Sequence, residues 1–226
     1  MEKKTAIYSK KGTYAGYDKN HKEREALDYY STPTEEVVNI LKTLNIDFHN
    51  QVILEPCCGG GHMYEGISQY CEETNNYPDA IVATDIMERG GDFPHCAGKE
   101  YDFITDDYKL PVDSTVDYII MNPPYKLIEP FVMKALSVAE KGVLMLGRLQ
   151  FLEGEKRYEN ILKDFPPTHV FVYVDRIACF INGDTSVKPS SVQAYAWYYW
   201  DLNYLNSLNI VPPSTFVHWI RRSDKV

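Results

Sequence analysis

The period of the hydrophobic positions changes repeatedly along the chain. In "STPTEEVVNILKTL", Val37, Val38, Leu41 and Leu44 fall on one helical face. Thr32 is expected to cap that helix, with Pro33 in its first turn and Glu35 at the capping-box position. Runs of strand length follow: "QVILEP", "AIVATDI", a shorter "YDFI", "VDYIIM" and "GVLMLGR". Between them, "HMYEGISQY", "LIEPFVMKALSVAE" and "GEKRYENILKDF" carry helical spacing, the second entered past Pro130 or kinked by it. The last apolar runs, "THVFVYVDRIACFI" and "SSVQAYAWYYWDL", read as two strands joined by "NGDTSVKPS", a connection too long for a tight turn.

Continuously apolar strands interleaved with helices predict a parallel sheet covered on both faces. The closing pair adds antiparallel pairing. The expected fold is therefore α/β: a mostly parallel seven-stranded sheet, helices on both faces and a C-terminal antiparallel hairpin. There is no internal repeat and no low-complexity tract. Residues 29–226 read as one domain, preceded by a basic arm over residues 1–28, with no separate target-recognition domain.

Composition narrows the class. The 226 residues are 44% hydrophobic and 24% charged, ordinary for one globular domain. No apolar run approaches the ~20 residues of a membrane helix, and the N-terminus lacks a secretory signal. A cytoplasmic protein with no membrane partner is expected. Five cysteines without a C-x-x-C pair speak against a disulfide framework or a Cys-rich zinc site. A metal site from Cys57, Cys58, His62, His95 and Cys96 has no standard ligand spacing, so no metal is predicted. The net charge of −9 disfavours a broad nucleic-acid surface. Within residues 1–24, however, seven Lys and Arg face only Glu2, Asp18 and Glu23, as a solvated tail or a phosphate-gripping arm would.

Four constellations lie at strand carboxyl ends, where open α/β sheets bind ligands. In "VILEPCCGGGHMYEGI", Glu55 closes a strand and Gly59, Gly60 and Gly61 turn into a helix. Tyr64 stands where a dinucleotide-binding G-x-G-x-x-G needs its third glycine. A carboxylate ahead of the turn suits a cationic or hydroxyl-bearing ligand better than a pyrophosphate. Asp85 ends the next strand at the right remove to hold ribose hydroxyls. In "YDFITDDY", Asp102 can read an exocyclic amine and Phe103 pack on an adenine, with Asp106 and Asp107 as substitutes.

The fourth is "DYIIMNPPYKLIEPF". Average residue usage gives about a one per cent chance of meeting [Asn/Asp/Ser]-Pro-Pro-aromatic in such a chain. Pro123 and Pro124 stiffen the loop and donate no hydrogen bonds. Asn122 offers a side-chain carbonyl and Pro123 a backbone one, so together they can accept both hydrogens of an aromatic amine. Tyr125 offers a face for a planar ring.

With "STP", "EPCCGGG", "TDI", "DF" and "NPPY" in this order, the chain resembles the amino-methyltransferases of DNA, in the gamma-type arrangement. The resemblance covers most of residues 29–226. It implies a Rossmann-like class I methyltransferase fold, S-adenosyl-L-methionine as cofactor, and methylation of adenine N6 or cytosine N4, with "NPPY" pointing to adenine. By resemblance, Thr32 and Pro33 border the methionine end, and Glu55, Cys57, Gly59 and Gly61 form the cofactor loop. Asp85 takes the ribose, Asp102 and Phe103 the adenine. Asn122, Pro123 and Tyr125 bind the target amine. Cytosine C5 chemistry would need a cysteine where Asn122 stands. Gamma-type enzymes usually carry a target-recognition domain; here a specificity partner, a second copy or short loops would select the sequence.

The expected substrate is a flipped or single-stranded base, most readily in DNA. RNA-base and protein-glutamine N-methylation are alternatives, as is a non-catalytic cofactor- or nucleic-acid-binding accessory. Phe180 or a neighbour is expected as the far wall of the base pocket. Arg148 and Arg176 fit phosphate contacts and structural salt bridges equally.

Overall fold

The computed structural model of the protein describes residues 30–87, 96–105, 115–177, 179–181, 193–207 and 214–225. The basic arm, His95, Asp106, Asp107 and the "NGDTSVKPS" connection lie outside the described residues.

The central sheet starts where the apolar runs predict. Strands β2 (Val52–Glu55), β3 (Ala80–Asp85), β5 (Tyr118–Met121) and β6 (Gly142–Arg148) coincide with four of them. The "YDFI" strand is displaced. β4 occupies Cys96–Glu100, while Tyr101–Asp102 are irregular and Phe103–Thr105 form a turn. Pairing fixes this register, with Ala83 opposite Cys96 and Asp85 opposite Glu100. Strands β7 (His169–Tyr173) and β9 (Tyr195–Asp201) pair antiparallel as expected, but the run "THVFVYVDRIACFI" is not one strand: it breaks after Tyr173, and Phe180–Ile181 pair elsewhere.

Including β10 (Phe216–Ile220), the sheet runs β10-β7-β9-β6-β5-β2-β3-β4. The seven predicted strands are thus joined by an eighth at the edge, parallel to β7. A separate two-stranded sheet pairs β1 (Tyr30–Ser31) with β8 (Phe180–Ile181).

Helix α1 spans Thr34–Leu44, α2 His62–Thr74 and α3 Ile128–Val138. Pro33, not Thr32, is the N-cap of α1, and no side chain caps it. Pro130 lies in the first turn of α3, where a missing N–H costs nothing. The "GEKRYENILKDF" segment is helical only for Glu155–Arg157, α4, before a π-helical turn at Tyr158–Leu162. A short α5 covers Leu202–Ser207.

Period-2 alternation distributes the strand side chains between two cores. Ile53, Tyr118, Ile120, Leu144, Leu146, Tyr195, Trp197 and Tyr199 pack beneath α1 and α2. Leu54, Ile119, Met121, Val143, Met145, Ala196, Tyr198 and Trp200 pack beneath α3. Both buried indoles are satisfied: Trp197 donates to the Tyr173 hydroxyl at 2.9 Å and Trp200 to the Phe165 carbonyl at 3.0 Å. Among the described residues no helix is long and apolar enough to cross a membrane.

Candidate active site

The chain builds β2, β3 and β4 outward in one direction, then returns to place β5 on the other side of β2. Strand order therefore reverses between the carboxyl ends of β2 and β5, where such sheets open a crevice. The Glu55–Gly61 turn and the Asn122–Tyr125 loop leave from those two ends. A cleft there is lined by Tyr30, Thr32, Glu55, Cys57, His62 and Asn122, among others.

Glycine is required at two places in the first turn. Gly59 and Gly61 have φ of 53° and 83°, a left-handed region that residues with a Cβ rarely adopt. The turn is also laced to β3. Cys58 N–H donates to the Thr84 carbonyl at 2.9 Å, and Gly59 N–H donates to Asp85 Oδ2 at 2.8 Å. Met87 N–H donates to Asp85 Oδ1 at 3.0 Å. Asp85 thus holds the glycine turn from the end of β3.

Glu55 is almost wholly buried, at 1% exposure. Burial, then the nearby Asp85 carboxylate, pushes its carboxyl well above the usual range, despite a backbone hydrogen bond from Tyr64. Its Oε2 is buried without a hydrogen-bond partner among the described residues. That orphaned oxygen beside the cleft fits a cationic or hydroxyl donor, and so fits the ammonium-bearing cofactor that the sequence implies. Cys57 is half-buried, and burial followed by the Glu55 and Asp85 charges pushes its thiol up. It is a neutral thiol, not a nucleophile.

Asn122 is held from the opposite wall. Its Nδ2 donates to the Tyr30 carbonyl at 2.9 Å and to Thr32 Oγ1 at 3.0 Å. A carbonyl can only accept, so the amide nitrogen must face Tyr30 and the orientation of the group is determined. With both hydrogens used, Oδ1 is left as the acceptor. Thr32, expected as a helix cap, serves instead to orient this amide across 90 residues of chain. The buried Pro123 follows, and Pro124 (φ −53°, ψ 130°) leads into a 3-10 turn at Tyr125–Leu127.

Tyr125 is enclosed rather than open. The Arg148 guanidinium lies over its ring, 3.9 Å from the centroid. The Tyr125 and Tyr195 hydroxyls share a hydrogen bond of 2.6 Å, and Tyr30 packs against the ring at 5.0 Å. Burial, above all, drives the Tyr125 hydroxyl far above its ordinary pKa, so it stays neutral.

The structure gathers Thr32, Glu55, Cys57 and Asn122 around one cleft, with Gly59 and Gly61 in the turn beside it and Asp85 bonded to that turn from the end of β3. It does not bring Phe103 there as an open face: that ring is 1% exposed and packs on Phe131 at 5.4 Å in the α3-side core. Asp102 Oδ1 accepts from the Ile104 and Thr105 amides, closing a local turn. Phe180 reaches the region by backbone pairing with Ser31, a cleft residue, while its side chain lies outside the described residues. Sequence reasoning missed Tyr30 and the Tyr195 hydroxyl. Neither sits in a recognisable motif; only the pairing of β1 with β8 and the end of β9 bring them in.

No sequence-family model matches the chain, and no curated protein matches it by sequence. Solved structures are. A provisionally assigned RNA methyltransferase from Pyrococcus horikoshii matches at TM-score 0.51 and 17% identity, over 78% of this chain and 87% of that one. The type I restriction-modification methyltransferase subunit of Streptococcus thermophilus matches at TM-score 0.53 and 11% identity, over 86% and 48%. The M protein of the type I restriction enzyme EcoKI matches at TM-score 0.54 and 12% identity, over 85% and 48%. The chain spans about half the length of these two restriction subunits. What the likeness shows is the fold: this chain has the class I methyltransferase architecture.

Proposed function

We propose that the protein transfers a methyl group from S-adenosyl-L-methionine to the exocyclic amine of a flipped or single-stranded base, adenine N6 in DNA being the preferred target. The observation that carries this is the fixed amide of Asn122. Its donors are spent on Tyr30 and Thr32, so Oδ1 is presented as an acceptor next to a stiff Pro-Pro loop. Support also comes from the glycine turn and the orphaned Glu55 oxygen, which suit the cofactor's hydroxyl and ammonium groups.

An aromatic amine is a poor nucleophile because its lone pair is delocalised into the ring. Hydrogen bonds from its two N–H groups to Asn122 Oδ1 and the Pro123 carbonyl localise that pair. They also disperse the positive charge that grows on nitrogen, a gain specific to the transition state. When bound, the cofactor would supply a sulfonium methyl; the held nitrogen would gain a C–N bond as the C–S bond broke with its electrons going to sulfur, and would lose its proton to solvent. No basic side chain is needed, since the alkylated amine cation is acidic. A paired base cannot enter, so the nucleotide leaves its stack at a cost of a few kcal/mol.

The likeness to restriction-modification subunits supports DNA, and the Pyrococcus neighbour keeps RNA as the second reading. Expression in a methylation-free bacterial host, followed by base-resolved sequencing of DNA and RNA, is the test. Modified adenine in a defined context is expected with the wild type and absent with Asn122→Ala. Unmodified nucleic acid from cells holding folded, cofactor-binding wild type overturns the proposal.

A further inference from the structure

We infer that Arg148 is a phosphate-binding residue for the target nucleotide, stored on the face of Tyr125 until a base displaces it. The inference rests on the nucleic-acid reading above and adds a contact that reading does not supply.

Arg148 ends β6, the strand paired to β5 in parallel, and so stands beside the loop that carries Tyr125. Its guanidinium lies 3.9 Å from the Tyr125 centroid. A guanidinium is flat and cationic and stacks on an aromatic face much as a base does. No base can use that face while Arg148 is on it. The ring itself is held in place, by its hydroxyl bond to Tyr195 and by Tyr30. The exchange must therefore move the arginine.

The arginine is poorly held for a structural residue. Its Nε is buried with no hydrogen-bond partner among the described residues, and none of the ion pairs there includes it. Arginine that serves packing alone generally has its fork of donors satisfied. Here a charged, fork-shaped donor set lies on Tyr125 with its buried Nε unpartnered among the described residues. A nucleotide turned out of its strand carries a phosphodiester on each side, and a guanidinium matches two phosphate oxygens at once. Entry of the base onto Tyr125 and release of Arg148 toward phosphate are then one event. A substrate without phosphates, such as a glutamine side chain, would displace the guanidinium with no anion to receive it.

The test uses a labelled oligonucleotide carrying a site mapped by the sequencing experiment, with binding read by fluorescence anisotropy across a KCl series. Arg148→Gln should weaken binding about tenfold and lower the slope of log Kd against log salt by about one. Its affinity for S-adenosylmethionine, read by calorimetry, should match wild type, which also verifies folding. Arg148→Lys should keep the slope. In the second arm, a neutral methylphosphonate replaces each phosphate flanking the target base in turn. One linkage should reproduce the loss with wild type and add nothing in Arg148→Gln. An unchanged salt slope in Arg148→Gln overturns the inference while leaving the methyltransferase reading intact, as does wild-type tolerance of both methylphosphonates. If no site can be mapped at all, the broader reading falls and this inference falls with it.

Discussion

Asn122 has two attachments and one free acceptor, and a substitution separates them. Replacing it with alanine removes the acceptor that polarises the amine and also the tether to Tyr30 and Thr32. By analogy with loss of a preorganised oxyanion-type group, kcat should fall by at least ~10²–10³. Cofactor affinity should stay close to wild type, because Glu55 and the glycine turn are untouched. A labelled-methyl assay beside calorimetry checks both, and full turnover would end the mechanism.

Glu55 yields a pH prediction. A carboxyl whose pKa is raised on folding binds its proton more tightly in the native state than in the unfolded chain. Native stability therefore declines as pH climbs above the ordinary carboxyl value of 4.5, and the full penalty is present above the raised pKa. Glu55→Gln removes that penalty. Its thermal midpoint should exceed that of the wild type near about pH 8 and converge with it near about pH 4, while its cofactor binding is lost. Parallel melting curves of the two proteins over this range would refute the assignment.

At the scale of elements, α1 and α2 meet at Gly66. A Cβ built there would lie 2.5 Å from the Val37 Cβ and 2.9 Å from the Thr34 carbonyl oxygen. Neither atom belongs to a flexible side-chain end, so the helices must part. Gly66→Ala should cost ~1–3 kcal/mol of overpacking, more than the ~1 kcal/mol that alanine gains as a helix former. The melting midpoint should fall by several degrees. Turnover should fall too, since α1 begins directly after Thr32 and Pro33. A midpoint at or above wild type would show that the contact can relax.

The elements most readable in the sequence were those buried on both sides, such as "VDYIIM" and "GVLMLGR", where the apolar run itself marks the strand. Those that failed depend on partners far away. "CAGKE" has little strand character and is a strand because β3 lies beside it. β10 exposes Phe216, Val217 and Trp219, so its pattern marks no buried face. Thr32 fits every local rule for a helix cap, yet a distant asparagine claims its hydroxyl. The same limit applies to the site. The motifs named Glu55, the glycines and Asn122, but the stacking of Arg148 on Tyr125 joins the end of β6 to the Pro-Pro loop, which no local pattern connects.

Over the whole molecule, the C-terminal segment is fastened to α1. Glu36, buried at 3% exposure, accepts from the Ser223 amide and hydroxyl, both at 3.0 Å. Asn39 donates to the Arg221 carbonyl at 2.8 Å. Removing residues 221–226 leaves a buried carboxylate short of two donors, a loss of ~1–3 kcal/mol or more. The truncated protein should melt several degrees lower, and Glu36→Gln in that background should recover part of the difference. Calorimetric melts of the three proteins decide it.

The position of β9 has a consequence for synthesis. This strand slots between β6 and β7, although it is made after both. At roughly 5–20 residues per second, a ribosome presents β6 and β7 for seconds before their shared neighbour exists. Until Trp197, Tyr198 and Trp200 arrive, neither strand has the neighbour that joins them in the finished sheet. A chain ending before β9 should therefore expose unpaired, apolar strand edges, and a peptide bearing residues 195–201 supplied in trans should bind it and not the full-length protein.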